Sequence, residues 1–444
     1  MERNLYWKIS LICFLGCISC TDIEPKKVYT VTDLKELLIS SSKTKSLDEF
    51  LLPLESEFDK IPQDSLNPIT KEKITLGKFL FFDPAISFDP KCKEAAQTFS
   101  CASCHFAQAD FSAGIRQAIA GGGRGFSYLR HKHPFCGDST VDVQQIKTPS
   151  IVNCAYQELM LWSGKFGSKS LNKGQDSLWP KGSFLELNGL GLSGVETQAR
   201  VALEAHGMRL NPKLLTTTEY HGMFDSSYRN ERDDLRYRRF TMARAIAAYE
   251  RTVITNKAPF QLFLRGNDSI LTEAQIQGAA LFFGKANCVA CHNGPALNSM
   301  AFYALGMPDM IGKDVIKEDT SNEAHLGRGG YTKKKEDLFS FKVPQLYNLK
   351  GHRFYGHGAS FCSIEEVIRY KNEALPWKQT VPKENLAKQF IPLKLNKQEI
   401  KALADFIENA LYDPDLKRYE PTHVPSGFCF PNNDKMSREH LGCN

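Results

Sequence analysis

Two short stretches carry residues that can act as a chemical set. One is Cys101-Ala-Ser-Cys104-His105; the other is Cys288-Val-Ala-Cys291-His292. Each is C-x-x-C-H, the attachment signature of c-type haem. Two thiols three positions apart can form thioethers with both vinyl groups of one porphyrin. The adjacent histidine then meets the iron from the proximal side. A chance match is expected about 0.01 times in a chain of this composition. Two matches therefore point to two covalent haem c groups. Cys101, Cys104, Cys288 and Cys291 would hold them, with His105 and His292 as iron ligands. Two C-x-x-C pairs could also build a Cys₄ zinc site, but that leaves both histidines without a role.

The remaining cysteines divide by position. The chain has 444 residues and 13 cysteines. Cys13, Cys17 and Cys20 lie in an N-terminal stretch where Arg3 and Lys8 precede an apolar run from Ile9 to Ile18. That run has the charge and length of a secretory signal and is too short for an ordinary transmembrane span. Its cysteine-containing end resembles a bacterial lipoprotein signal over residues 1–20, with Cys20 as the lipidated residue and Cys17 as the alternative. The expected location is the periplasm, with membrane attachment through a lipid anchor only. Cys92, Cys136, Cys154, Cys362, Cys429 and Cys443 are left for up to three disulfides. Cys429 and Cys443 bracket a polar tail and are the expected bridge.

Composition excludes other classes. Apolar residues are 42% and charged residues 24%, an ordinary globular balance. A net charge of +6 is small for this length, so a nucleic-acid partner is not expected.

These sites need helices to position them. Gly77-Lys-Phe-Leu-Phe-Phe82 precedes the first motif and Gly278-Ala-Ala-Leu-Phe-Phe283 the second, which reads as an internal repeat. The first copy carries about 14 extra residues before its cysteines, on the simple spacing count. Met242, Ile246, Tyr249 and Val253 share one face of a helix from Phe240. A final amphipathic helix is expected over Glu399–Leu411, and strand signals are few. The fold class is mainly α, with two cytochrome c-like domains. The boundaries are a signal at 1–20, an N-terminal tether at 21–70, a haem domain at 71–255 and a second at 256–444.

Further motifs resemble the bacterial di-haem cytochrome c peroxidase/MauG family. They span about residues 72–412: Leu76-Gly-Lys-Phe-Leu-Phe-Phe-Asp-Pro84, Thr148-Pro-Ser-Ile-Val-Asn153, Leu161-Trp162-Ser-Gly164, Gly194-Val-Glu196, Phe341-Lys-Val-Pro-Gln-Leu346 and Tyr355-Gly-His-Gly358. The resemblance implies that the N-terminal haem, on His105, reduces hydrogen peroxide. The C-terminal haem, on His292, receives electrons from a small c-type cytochrome or cupredoxin. Glu196 matches the family's catalytic acid–base residue, and Trp162 the aromatic between the haems. The chain departs from the family in two places. Its W-D-G-R reads Trp162-Ser-Gly-Lys165, and Lys147 stands where the family offers an Asn ligand to Ca²⁺, which puts calcium in doubt. The sixth ligand of the C-terminal haem falls on Lys371 or Tyr370, adjacent on one helix, with Met307 and Met310 as further candidates. MauG itself uses a Tyr. His131 and His133 lie in the loop where some relatives carry a distal His, while His206 and His357 are expected either to support the site from behind its ligands or to be packing residues. A homodimer is compatible with the resemblance. Two alternatives remain: a MauG-like enzyme oxidising residues of a partner protein, and a pure electron-transfer cytochrome.

Overall fold

The computed structural model describes residues 28–443. The signal stretch with Cys13, Cys17 and Cys20 lies outside them. The helices that carry the architecture are α1 (Val31–Ser41), α2 (Lys71–Phe82), α3 (Gly194–Ala205), α4 (Arg239–Arg251), α5 (Glu273–Phe283), α6 (Ile364–Glu373) and α7 (Lys397–Asp405). The π turn Phe406–Ala410 prolongs α7. Among the described residues, strands are confined to two antiparallel pairs, β1 (Gly123–Arg124) with β2 (His131–Lys132) and β3 (Phe302–Tyr303) with β4 (Phe341–Lys342). The protein is mainly helical, as expected.

The sequence repeat is a structural repeat. α2 packs across α4, and α5 packs across α7. In each crossing a glycine lets the backbones touch. A Cβ on Gly77 would lie 1.9 Å from Ala245 O, and one on Gly278 would lie 2.0 Å from Ala402 O. The paired phenylalanines that follow do equivalent work. Phe81 and Phe82 pack on Tyr249; Phe282 and Phe283 pack on Phe406. All five phenylalanines and Tyr249 are buried, and edge-to-face contacts of this kind add to their burial.

Helix ends follow their sequence signals. Thr30 caps α1 through a capping box with Asp33, Thr272 caps α5 with Gln275, and Asn396 caps α7 with Glu399.

The two ends of the chain cross over. Leu34 and Leu38 of α1 are buried, and α1 lies against α5 of the second half. Tyr29 exchanges two backbone hydrogen bonds with the Gln277 side chain. The C-terminal tail instead returns to the first half. Ser100 Oγ donates to Pro431 O, and Ser103 Oγ to Asn432 Oδ1. Cys429 is bonded to Cys443, the bridge expected from sequence, and Cys92 to Cys136. Cys154 and Cys362 remain thiols, one buried and one exposed. No helix among the described residues is long and apolar enough to cross a membrane.

Candidate functional site

Each C-x-x-C-H stretch winds into one tight turn. In the first, His105 N–H donates to Cys101 O at 3.1 Å; in the second, His292 N–H donates to Cys288 O at 2.9 Å. The turns gather two sulfurs and one imidazole. None of the four thiols is in a disulfide. Burial pushes the thiols of Cys104 and Cys288 up to about 11, so neither pair is an activated redox dithiol.

Both imidazoles are oriented by carbonyls. His105 Nδ1 lies 3.0 Å from Phe111 O. His292 Nδ1 lies 3.2 Å from Leu297 O and 3.1 Å from Pro344 O. Nδ1 must be the protonated nitrogen in both, which leaves the Nε2 lone pair for a metal. Burial, helped by neighbouring cations, holds His105 down to about 4 and His292 to about 3.

The second motif opens into a cavity of about 700 Å³. Cys288, Cys291 and His292 line it together with Met307, His352 and Lys371, among mostly apolar side chains. His352 Nε2 is buried with no hydrogen-bond partner. Lys147 is buried in the same wall, with only Ser112 Oγ at 3.2 Å for its ammonium. The donor set fits a c-type haem. It supplies an apolar slot, two thiols, an axial imidazole, and unsatisfied polar groups for an acidic edge.

Lys371 and Tyr370 part company. Lys371 lines the cavity, and its charge acts on Cys288 and His292. Burial lowers the proton affinity of its amine. The Tyr370 hydroxyl donates to Leu305 O, and its ring packs among Phe361, Trp377 and Phe390. Met310 is buried in a separate small cluster with Val315 and Ala359.

Trp162 lies in the cavity wall between the two halves. Its Nε1–H donates to Lys147 O at 2.8 Å, and Lys147 in turn acts electrically on His105. Beyond the tryptophan, Lys165 stacks over Phe166. Arg328 from the second half donates to the carbonyls of Ser163 and Gly164 at 3.2 and 3.0 Å. A calcium ion does not fit at Lys147. An ammonium with a buried stem already occupies the place.

Glu196 sits at the interface of α3 and α4. Arg251 donates to both its oxygens, at 2.9 and 2.6 Å, and Asn67 Nδ2 reaches Oε1 at 3.2 Å. The groups that act on His105 are His206 and Lys147, not Glu196. His131 is exposed, with its ring nitrogens engaged by Arg124 and Leu129 O. His133 Nδ1 accepts from Phe135 N–H. His357 stacks on Phe341 and faces Asp309.

The chain is similar to several known proteins. The family model of di-haem cytochrome c peroxidase matches residues 71–269. That segment, a little under half of the chain, is similar to the di-haem cytochrome c peroxidase/MauG family. The chain is 28% identical to cytochrome-c peroxidase IdrP1 of Pseudomonas sp. over 82% of this chain and 86% of that one. It is 27% identical to methylamine utilization protein MauG of Methylophilus methylotrophus, over 79% and 86%. A MauG-like protein associated with microbial copper homeostasis shares the fold, with a TM-score of 0.57, 22% identity and coverage of 82% of this chain and 95% of that one. The family is one of oxidoreductases of cytochrome c peroxidase type.

Two buried arginines and the pairing of half-buried His206 with Asp142 escaped the sequence reading. Arg251 follows Glu250 in a helix whose pattern marks it only as an end. Arg328 sits in a Gly-rich turn. His206 and Asp142 are 64 positions apart, and no spacing rule joins them.

Proposed function

We propose that this chain is an exported, lipid-anchored di-haem peroxidase. Cys101 and Cys104 would hold one haem c, with His105 to meet its iron. Cys288 and Cys291 would hold the other, with His292 and Lys371 as the residues that would meet its iron. The observation that carries the reading is the duplicated frame. Two glycine-crossed helix pairs each present a C-x-x-C-H turn with its histidine Nδ1 tied to a carbonyl, and Trp162 stands between them.

Bound haem would supply peroxide activation at the first site and one-electron storage at the second. The chain's own residues do the rest. His105 and His292 present Nε2. The apolar wall around the second motif excludes water, and the Lys371 amine lines the same cavity as His292, where it could meet the iron of a bound haem. An amine in place of the more usual methionine would lower the potential of that haem. Trp162 bridges the halves as the relay. The net reaction consumes hydrogen peroxide, two protons and two electrons from a reduced small cytochrome or cupredoxin, and yields two waters.

The test is oxidation of a reduced small c-type cytochrome by peroxide, with two donors oxidised per peroxide. Two low-spin haems in every redox state, with no peroxide consumed, would overturn the proposal. A second reading, oxidation of residues on a partner protein, is favoured by the same low-potential Lys371 position. It is separated from the first by whether the reduced cytochrome is consumed at all.

A further inference from the structure

The segment after α6 is held firmly against the second half. Ala374 ends the helix in the left-handed region at φ +52°, with its N–H on Tyr370 O at 3.0 Å. Pro376 then packs on Gly306, where a Cβ would lie 2.4 Å from Pro376 Cβ. Lys378 N–H donates to Gly306 O at 2.8 Å, Ala387 N–H to Ala304 O at 2.9 Å and Leu393 N–H to Asn372 O at 3.2 Å. A segment tied down at so many points is ordered before any partner arrives, which lowers the entropy cost of binding one.

The end of this segment, Lys388 to Leu393, walls the cavity that also contains Cys288 and His292. Its start faces outward. Leu375 and Trp377 are 63% and 45% exposed and take no part in lining the cavity. Rings connect the two parts. Trp377 packs on Tyr370 with centroids 5.1 Å apart, and Tyr370 packs on Phe390 at 5.4 Å. Phe390 is part of the cavity wall. An exposed indole therefore stands two ring contacts from the cavity of the second motif. A rigid, exposed tryptophan is the residue type that most often anchors a protein interface.

The rim of this face is basic. Between Leu375 and Leu395 the sequence has four lysines, Lys378, Lys383, Lys388 and Lys394, against one carboxylate, Glu384. Asp309 takes up Lys378 at 2.5 Å. Lys383, Lys388 and Lys394 are exposed and form no ion pair with any described residue. The first half offers nothing comparable at its own motif. Ala102 and Ser103 of the first attachment turn are buried, and Ser103 Oγ donates to Asn432 of the C-terminal tail. Phe135 is exposed there, but the charge of nearby Lys132 is taken up by Asp138.

We infer that the face around Trp377 is the docking surface for a small acidic electron carrier, with Lys383, Lys388 and Lys394 as its charged rim. The inference rests on the peroxidase reading and names the chemistry of the electron donor. Each encounter passes one electron. The carrier is oxidised by one, the iron of the second haem would be reduced by one, and no bond forms or breaks. Two encounters supply the two electrons used per peroxide. An acidic carrier is steered onto three uncompensated ammonium groups, whereas a basic one is repelled by them.

The experiment uses the haem-loaded chain and flavodoxin, an acidic one-electron carrier, as the probe. The first readout is binding of oxidised flavodoxin, in which no electron moves. The second is the second-order rate constant for reduction of the oxidised haem protein by flavodoxin hydroquinone, with no peroxide present. Both should weaken as salt rises. Lys388→Glu combined with Lys394→Glu should weaken binding and slow reduction by about tenfold or more at low salt. Trp377→Ser should weaken binding by about tenfold. Reduction by the methyl viologen radical, a small cation, should not slow in either variant, which shows that the haem sites are intact. Phe135→Ser should leave both readouts unchanged. Absence of salt-dependent flavodoxin binding, equal binding in all variants, or a loss confined to Phe135→Ser would overturn the inference. So would a dimer of this chain that Trp377→Ser dissociates, because the face would then belong to a second copy. If flavodoxin binds and reduces as expected but no peroxide is consumed, the peroxidase reading fails and the docking surface stands.

Discussion

Arg251 grips both carboxylate oxygens of Glu196 inside the protein, with the two side chains almost wholly removed from solvent. This pair joins α3 to α4 where the sequence suggested a residue free to work on substrate. Breaking a buried pair by removing one partner leaves an uncompensated charge and costs about 3–5 kcal/mol. Glu196→Gln should therefore lower the urea-unfolding free energy of the haem protein by about that amount. Glu196→Leu combined with Arg251→Met should recover most of it. Full stability in Glu196→Gln would count against this account.

The sixth-ligand question has a direct spectroscopic answer. Lys371 lines the second cavity while the Tyr370 hydroxyl is spent on Leu305 O. Lys371→Met should change the low-spin optical and EPR signals of the second haem and raise its potential. Tyr370→Phe should leave those signals alone and cost only about 1 kcal/mol of stability through one lost hydrogen bond. The reverse pattern would assign the tyrosine.

The two crossing glycines make a paired prediction. An added methyl at Gly77 or Gly278 meets backbone that cannot yield. Each alanine substitution should cost about 1–3 kcal/mol by overpacking, read as a lower melting temperature. Gly222 sits in a helix, and a Cβ there would meet nothing within 4 Å. Gly222→Ala should be neutral or stabilising by up to about 1 kcal/mol.

Asp110 gives stability a pH dependence. Burial pushes its carboxyl from 3.8 up to about 7, despite hydrogen bonds from Asn348 and Gly351. Between those values the folded chain holds a proton that the unfolded chain has released. The stability from this group is thus complete below pH 3.8 and is lost as pH rises through 7. The decline is about 1.4 kcal/mol per pH unit at its steepest. Asp110→Asn should remove it, so the unsubstituted protein should lose about 2–3 kcal/mol more than the variant between about pH 5 and 7. Equal slopes in the two unfolding curves would refute the assignment.

The parts of the site that were legible in the sequence were those encoded locally. Cys101 to His105 and Cys288 to His292 need only one turn each, so spacing defines them completely. Gly77 and Gly278 announced the repeat because both copies solve the same packing problem. Met242, Ile246 and Tyr249 fall on the buried face of α4 as their period requires. What escaped was encoded by tertiary approach. Adjacent positions on a helix differ by about 100°, which separates Lys371 from Tyr370 but does not say which one faces the cavity. The partners of Glu196 and of His206 come from distant segments. The segment over 21–70 reads as a tether, yet its apolar positions at Leu34 and Leu38 are buried against the second half.

That crossing of the chain ends bears on electron flow. α1 is fastened to the second half through Tyr29 and Gln277, and the tail after Tyr419 to the first through Ser100 and Ser103. Each half is thus strapped by a segment that belongs, by sequence, to the other. Electron transfer between two centres falls off steeply with their separation. A hinge between the halves would make the rate fluctuate with every bending motion. The crossed straps oppose such bending, so in the proposed di-haem protein the spacing of the two sites would act as a fixed conductor length set by the straps.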